Sequence, residues 1–226
     1  MGDIHGAHKA FEQCLERSGF NPETDQLITL GDITDCWPEV HLCIQSLLKI
    51  PNRVCLMGNH DQWALQWMYN GWKGNVWVSQ GGRATMQSFG NDPDKVPASN
   101  YNFLRNCKYI WVEKNCLFVH AGINLKKNLH DQNSETCLWD RKMVFDCYKQ
   151  ICRFSGTRFG DWDKIYIGHT PTQNFSTSGP LQMGNLVLMD TGAGHGGTLS
   201  MMDLDSGQVF QSDPTQDLYP SWTPRD

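Results

Sequence analysis

Apolar residues in this chain come in short runs, and several of the runs end on a glycine. Gln26-Leu27-Ile28-Thr29-Leu30 stops at Gly31, and Arg53-Val54-Cys55-Leu56-Met57 stops at Gly58. Runs of this length bounded by turn formers predict buried strands. Between them the period changes. Phe11, Cys14 and Leu15 recur at helical spacing over residues 8–18, and Val40, Ile44, Leu47 and Leu48 mark one face of a helix whose first turn would hold Pro38. The order strand, turn, helix, strand, turn, helix predicts an α/β layer.

The second half changes character. Residues 109–113 and 116–119, separated by Lys114-Asn115, predict a hairpin. Residues 137–154 read as helix. Further strands are expected at 165–167, 186–189, 199–202 and 208–210. The stretch from Gly81 to Ser99 is rich in Gly, Asp, Pro and Ser, which predicts a surface excursion. No repeat, low-complexity stretch or linker divides the chain, so residues 1–226 are expected to form a single domain.

Composition narrows the function classes. A chain of 226 residues can bury a full core. No apolar run approaches the length of a membrane span, and the start has no signal-peptide pattern. A net charge of −5 without a basic run leaves no nucleic-acid footprint. It does not exclude a phosphorylated substrate, because bound cations would invert the local field. The nine cysteines are odd in number and form no CxxC pair, so reduced thiols and a cytoplasmic location are expected.

Five short motifs carry the chemistry. They are Gly2-Asp3-Ile4-His5-Gly6, Gly31-Asp32-Ile33-Thr34-Asp35, Gly58-Asn59-His60-Asp61, His120-Ala121-Gly122 and Gly168-His169-Thr170. Each sets an Asp, Asn or His beside a glycine, usually after an apolar run. A strand ending in a tight turn can aim one such ligand into a cleft. The set mixes carboxylate, amide and imidazole donors and contains no thiolate, which suits manganese, iron, zinc or magnesium-like ions better than copper. Asp3 and His5 are two apart and share one side of an extended segment. Asp32 has two oxygens with which to bridge two ions.

In this order the motifs resemble those of the calcineurin-like metallophosphoesterases, nearest the phosphoprotein phosphatase type. That group includes bacterial and bacteriophage serine/threonine phosphatases and symmetrical diadenosine tetraphosphate hydrolases. The resemblance runs from Gly2 to about Gly197. It implies an α/β (α+β) four-layer sandwich, two mixed β-sheets flanked by helices. It implies two divalent ions, manganese first, with iron, zinc, nickel or magnesium as alternatives. Asp3, His5 and Asp32 would hold one ion, and Asp32, Asn59, His120 and His169 the other. Hydroxide bridging the ions would attack a phosphate ester. His60 would protonate the leaving oxygen, with Asp35 holding its tautomer and raising its pKa. Asn59 and Arg141, in Leu138-Trp139-Asp140-Arg141, would bind the phosphate. His195 lies in a loop that such proteins place near the site.

Two departures stand out. Where the resembled motif has arginine after its second aspartate, this chain has Cys36, and Met57 replaces an arginine often found before the GNH motif. A thiol cannot imitate a guanidinium fork, so a weaker grip on a phosphomonoester is expected. The apolar strand that usually precedes the first motif is also absent, leaving only Met1, so Asp3 is expected on a frayed end. The expected substrate is a phosphoprotein, handled as by a serine/threonine phosphatase. The alternatives are a nucleotide or diadenosine polyphosphate, or a catalytically weak, metal-containing module that binds a phosphorylated partner. No pattern speaks to oligomeric state.

Overall fold

A computed structural model describes residues 1–151 and 158–225. In the first half, α1 (His8–Ser18), β1 (Leu27–Thr29), α2 (Val40–Lys49), β2 (Arg53–Cys55) and α3 (Asn59–Asn70) alternate. Strands β1 and β2 pair in parallel. Glu39 caps α2, so Pro38 stands just outside the helix rather than in its first turn. Helices α4 (Asn75–Trp77), α5 (Arg83–Ser88) and α6 (Ala98–Arg105) follow.

The hairpin of β3 (Ile110–Glu113) and β4 (Cys116–Val119) forms as expected. Lys114 and Asn115 both adopt the left-handed conformation that a two-residue hairpin turn requires. Strands β5 (Lys164–Ile167), β6 (Leu181–Met183) and β7 (Leu186–Leu188) complete a five-stranded mixed sheet in the order β3-β4-β5-β7-β6. Strands β8 (Ser200–Met202) and β9 (Val209–Gln211) form an antiparallel pair. Strand β6 was not anticipated, since Leu181-Gln182-Met183 is too short to show a period.

Alternation along β4, β5 and β7 separates two apolar layers. Phe118, Tyr166 and Val187 face Ile28, Leu30, Val54 and Leu56 across the space between the sheets. Leu117, Val119, Ile165, Ile167 and Leu188 face the other way, onto Val144 and Cys147 of α8 (Lys142–Ile151). Each such side chain, when fully buried, contributes roughly 1.5–3 kcal/mol. Among the described residues no helix is long and apolar enough to cross a membrane.

Three expectations need correction. The segment 137–154 is not one helix: α7 (Ser134–Trp139) stops, Asp140 and Arg141 break out, and α8 begins at Lys142. Asp140 is extended and its carboxylate accepts the Lys142 and Met143 amides, which starts the new helix. Residues 152–154 lie outside those described, as does Cys152. The Gly81–Ser99 stretch lies at the surface only in its second half: residues 90–99 are exposed or half-buried, but Gly81, Thr85, Met86 and Phe89 are buried. Its Gly and Ser content hid the short helix α5. Nor is Asp3 on a frayed end. The Met1 amino group donates to the Ile28 carbonyl at 2.8 Å, Leu30 N–H to Met1 O at 3.1 Å, and Gly2 N–H to Ser200 O at 2.9 Å. Residues 1–4 thus lie between β1 and β8, and burial lowers the pKa of the Met1 amine to about 6.

Candidate metal centre

The segments that leave the C-terminal ends of the parallel strands β1, β2, β4, β5 and β7 converge on one cavity of about 450 Å³. Open α/β sheets place their ligands at such strand ends. The lining includes Asp3, His5, Asp32, Asn59, His60 and His169. Two groups of potential ligand atoms each lie within 4.8 Å of one another: Asp3, His5 and Asp32 in one, and Asp32, His120 and His169 in the other. Asp32 belongs to both. Its Oδ2 is 3.6 Å from His5 Nε2, and its Oδ1 is 3.5 Å from His120 Nε2.

The glycines of the motifs have a steric reason. A Cβ on Gly58 would come within 2.1 Å of Asp32 Oδ1, and one on Gly168 within 2.0 Å of Asp3 Oδ1. A glycine beside one candidate ligand therefore makes room for another. The backbone is also held in sparsely populated conformations: His5, Asp32 and His169 all have positive φ, at 52°, 48° and 59°. Such strain persists only where surrounding contacts over-determine it. Asp61 supplies several of these contacts. Its carboxylate accepts the Ile33, Thr34 and Gly58 amides at 2.9–3.0 Å and ties the loop after β1 to the start of α3.

The donor chemistry fits a cation. His5 Nδ1–H donates to Thr34 O at 3.1 Å, and His120 Nδ1–H to Leu30 O at 2.8 Å. A carbonyl cannot donate, so each ring turns an Nε2 lone pair toward Asp32. His120 Nε2 also stands 3.0 Å from Asn59 Oδ1. Asp3 accepts the His169 amide with Oδ2 at 2.9 Å, while its Oδ1 is buried without a partner. Buried lone pairs that face one another need a positive charge between them. Protons are a poor remedy here, because burial lowers the pKa of His120 to about 4 and of His169 to about 2. Burial raises the Asp32 carboxyl to about 6, and it raises Asp3 with help from Asp190 and Asp32.

His60 stands apart from this pattern. Its Nδ1–H donates to Asp35 Oδ2 at 2.7 Å, which leaves Nε2 as the second titrating nitrogen of a ring that borders the cavity. Burial opposes its charge, but the carboxylates of Asp32 and Asp35 outweigh that and raise its pKa. Asp35 is fully buried and also accepts Trp77 Nε1–H at 2.7 Å and the Thr85 hydroxyl. The Trp63 ring meets His60 edge-on at 5.2 Å, and Trp139 meets Trp63 at 4.9 Å, making an aromatic wall. Arg141, released by the break between α7 and α8, lines the same cavity and donates to His169 Nε2 at 3.1 Å.

Of the residues singled out from the sequence, Asp3, His5, Asp32, Asn59, His60, Arg141 and His169 line the cavity, as does His195; His120 joins through its group with Asp32, and Asp35 lies behind His60. Asp190, Gln80 and Arg225 were not foreseen. Asp190 had a readable signal, an apolar run followed by Asp and, two residues on, Gly192. Trp77 and Thr85 had none, because their partner Asp35 is about 40–50 residues away in sequence.

The model of the family described as calcineurin-like phosphoesterase matches residues 1–189. The chain is 37% identical over 210 residues to serine/threonine-protein phosphatase 2 of Salmonella typhimurium, covering 90% of this chain and 91% of that one. It is 25% identical over 211 residues to serine/threonine-protein phosphatase 1 of the same organism, covering 89% and 88%. Against the symmetrical bis(5'-nucleosyl)-tetraphosphatase of Dechloromonas aromatica, identity is 28% over 124 residues, spanning 54% of this chain and only 42% of that one. Against serine/threonine-protein phosphatase 2 of Escherichia coli, identity is 38% over 82 residues, spanning 36% of this chain and 37% of that one. Among solved structures, one provisionally named a diadenosine tetraphosphatase superposes with a TM-score of 0.68 at 18% identity, covering 93% of this chain and 90% of that one. A Saccharomyces cerevisiae serine/threonine phosphatase superposes at 0.61 and 12%, covering 94% and 78%. At these identities the structures share the fold.

Proposed function

The chain belongs to the calcineurin-like phosphoesterases, metal-dependent hydrolases of phosphate esters, and within that family we propose that it is a phosphomonoesterase of the serine/threonine protein phosphatase type. One observation carries the reading. A buried His60–Asp35 pair, biased toward its charged form, borders the cavity that holds the ligand cluster and Arg141. A general acid so placed is needed when the leaving group is a poor one, such as a serine or threonine alkoxide. The 37% identity to a Salmonella phosphatase over nine-tenths of both chains supports the same reading.

Asp3, His5 and Asp32 would hold one divalent ion, and Asp32, Asn59, His120 and His169 a second. The buried, orphaned Asp3 Oδ1 is what such an ion would satisfy. The oxygen and imidazole donors are compatible with manganese, which the family resemblance puts first, and with iron, zinc, nickel or magnesium. When bound, the pair of ions supplies an activated water and stabilises charge on the phosphoryl oxygens. The protein's own residues do the rest. Arg141 and the Asn59 amide orient the phosphate. Trp63 and Trp139 shield His60 on one side. His60 gives its proton to the departing oxygen, and Asp35 keeps the ring in the tautomer that can do so. Residues 1–226 act as one domain in this reading. Its unpaired thiols, eight among the described residues, suit a cytoplasmic setting.

The partial match to a tetraphosphatase favours a second reading, hydrolysis of a dinucleoside polyphosphate. A panel assay with added manganese separates the two, using a phosphoserine peptide, p-nitrophenyl phosphate, its bis ester and diadenosine tetraphosphate. The proposal expects turnover of the peptide. Turnover of diadenosine tetraphosphate with none on the peptide would reverse the preference.

A further inference from the structure

The position after Asp35 is occupied by a cysteine that cannot reach a ligand as a cation. Cys36 is fully buried, and its thiol lies 3.6 Å from His5 Nδ1 and 3.7 Å from Gln80 O. Burial pushes the thiol's pKa up, so it is neutral at physiological pH. A different part of the chain crosses this place. Tyr219 stacks on Trp37 at 5.1 Å, and its hydroxyl accepts the Lys9 amide and bonds Glu39. Trp222 Nε1–H then donates to the Cys36 carbonyl at 2.7 Å. Three residues later, Arg225 Nε–H donates to the Gly194 carbonyl at 3.3 Å. Gly194 itself lies against a candidate ligand, since a Cβ there would sit 2.5 Å from His5 Cδ2.

Arg225 consequently lines the same cavity as Asp3, His5, Asp32 and Arg141. Among the described residues, neither Arg225 nor Arg141 pairs with a carboxylate within 4.0 Å. Only one nitrogen of the Arg225 guanidinium is taken by a backbone carbonyl. Two planar cations, brought to one cavity by segments about 80 residues apart, fit a ligand that carries more than one negative oxygen. Anchoring at Tyr219, Trp222 and Gly194 reduces the entropy lost when Arg225 engages that ligand.

We propose that Arg225 is a phosphate-binding residue of this site, delivered over Cys36 by the Tyr219–Arg225 segment and acting together with Arg141. This rests on the phosphoesterase reading above, and Trp222 is the positioning residue. The test is calorimetric titration of the manganese-loaded protein with inorganic phosphate, with manganese content measured alongside. Arg225→Ala and Arg225→Gln are expected to bind phosphate about tenfold more weakly or worse, the scale of one charge-assisted hydrogen bond. Both should keep their manganese. Trp222→Phe, which removes the N–H to Cys36 and part of the ring that packs on the core but leaves Arg225 in place, should weaken phosphate binding less. Phosphate affinity within about twofold of wild type in both arginine variants would overturn the proposal. Loss of manganese from Arg225→Gln would also overturn it, by making Arg225 part of the metal scaffold. The titration needs no turnover, so it separates the two readings. Phosphate binding that depends on Arg225, without phosphopeptide hydrolysis, would sink the phosphatase assignment and leave the clamp standing.

Discussion

Replacing Asp35 by asparagine tests the acid without disturbing the metal cluster. The side chain is fully buried, so its hydrogen bonds decide the outcome. An asparagine carbonyl in the place of Oδ2 still accepts from His60 Nδ1 and Trp77 Nε1, each now at 2.7 Å. Its amide replaces Oδ1 and must donate to Thr85, whose hydroxyl already accepts the Asp35 backbone amide at 2.9 Å. Geometry is retained and charge is lost. A hydrogen bond to a charged group contributes about 1.5–3 kcal/mol and a neutral one about 0.5–1.5, so the variant should be less stable by about 1–2 kcal/mol. The same loss makes the His60 imidazolium less favourable by about 1–1.5 kcal/mol, tenfold in the ratio of charged to neutral ring. The sign is definite. His60 has a raised pKa because Asp32 and Asp35 outweigh burial, and its charged form disappears as pH rises through that value. Asparagine lowers it, so the alkaline fall of the rate profile should move to lower pH. The assay is kcat/KM between pH 5 and 9 on a phosphoserine peptide and on p-nitrophenyl phosphate. Only the peptide's leaving oxygen needs a proton, and its loss should approach about tenfold at alkaline pH, the size of the shift in the charged fraction of His60. An unmoved alkaline limb, or equal losses on both substrates, would refute the reasoning.

Other consequences follow from the same geometry. Burial raises Asp32 to about 6, so protons compete with metal below that pH; manganese affinity should drop as pH falls through about 6 and level off above it, as titrations at several pH values would show. A flat profile would mean that Asp32 does not ligate. Gly58→Ala places a Cβ on Asp32 Oδ1 and on the Asp32 amide nitrogen, at 2.1 and 2.2 Å. It should lower Tm, at a cost of about 1–3 kcal/mol, and reduce the bound manganese; an unchanged Tm with full metal content would contradict the packing account. Thr85→Val leaves Asp35 Oδ1 without its hydroxyl partner, so stability should fall by about 1–3 kcal/mol in denaturant titration while manganese binding is retained.

Much of the candidate site was legible in the sequence because its candidate ligands sit at strand ends, where apolar runs give way to glycine. That local grammar marked Asp3, His5, Asp32, Asn59, His120 and His169, and the resemblance of the motifs to the phosphoesterases paired Asp35 with His60, which bond at 2.7 Å. The α/β alternation was equally readable, because the burial periods of α1, α2 and the first strands are local properties. Tertiary structure decided what depends on distant partners. The Gly81–Ser99 stretch looked like surface, yet Gly81 packs against Cys36 and Thr85 bonds Asp35. The helix expected over 137–154 breaks at Asp140-Arg141, and that break lets Arg141 line the cavity. Met1 and Asp3 are held between β1 and β8, a pairing that neither segment announces. Nothing in the order of residues says that Trp222 closes over Cys36, 186 positions away. Sequence patterns report which face of an element will be buried; they do not report what it is buried against, because that is fixed only when non-local segments pack.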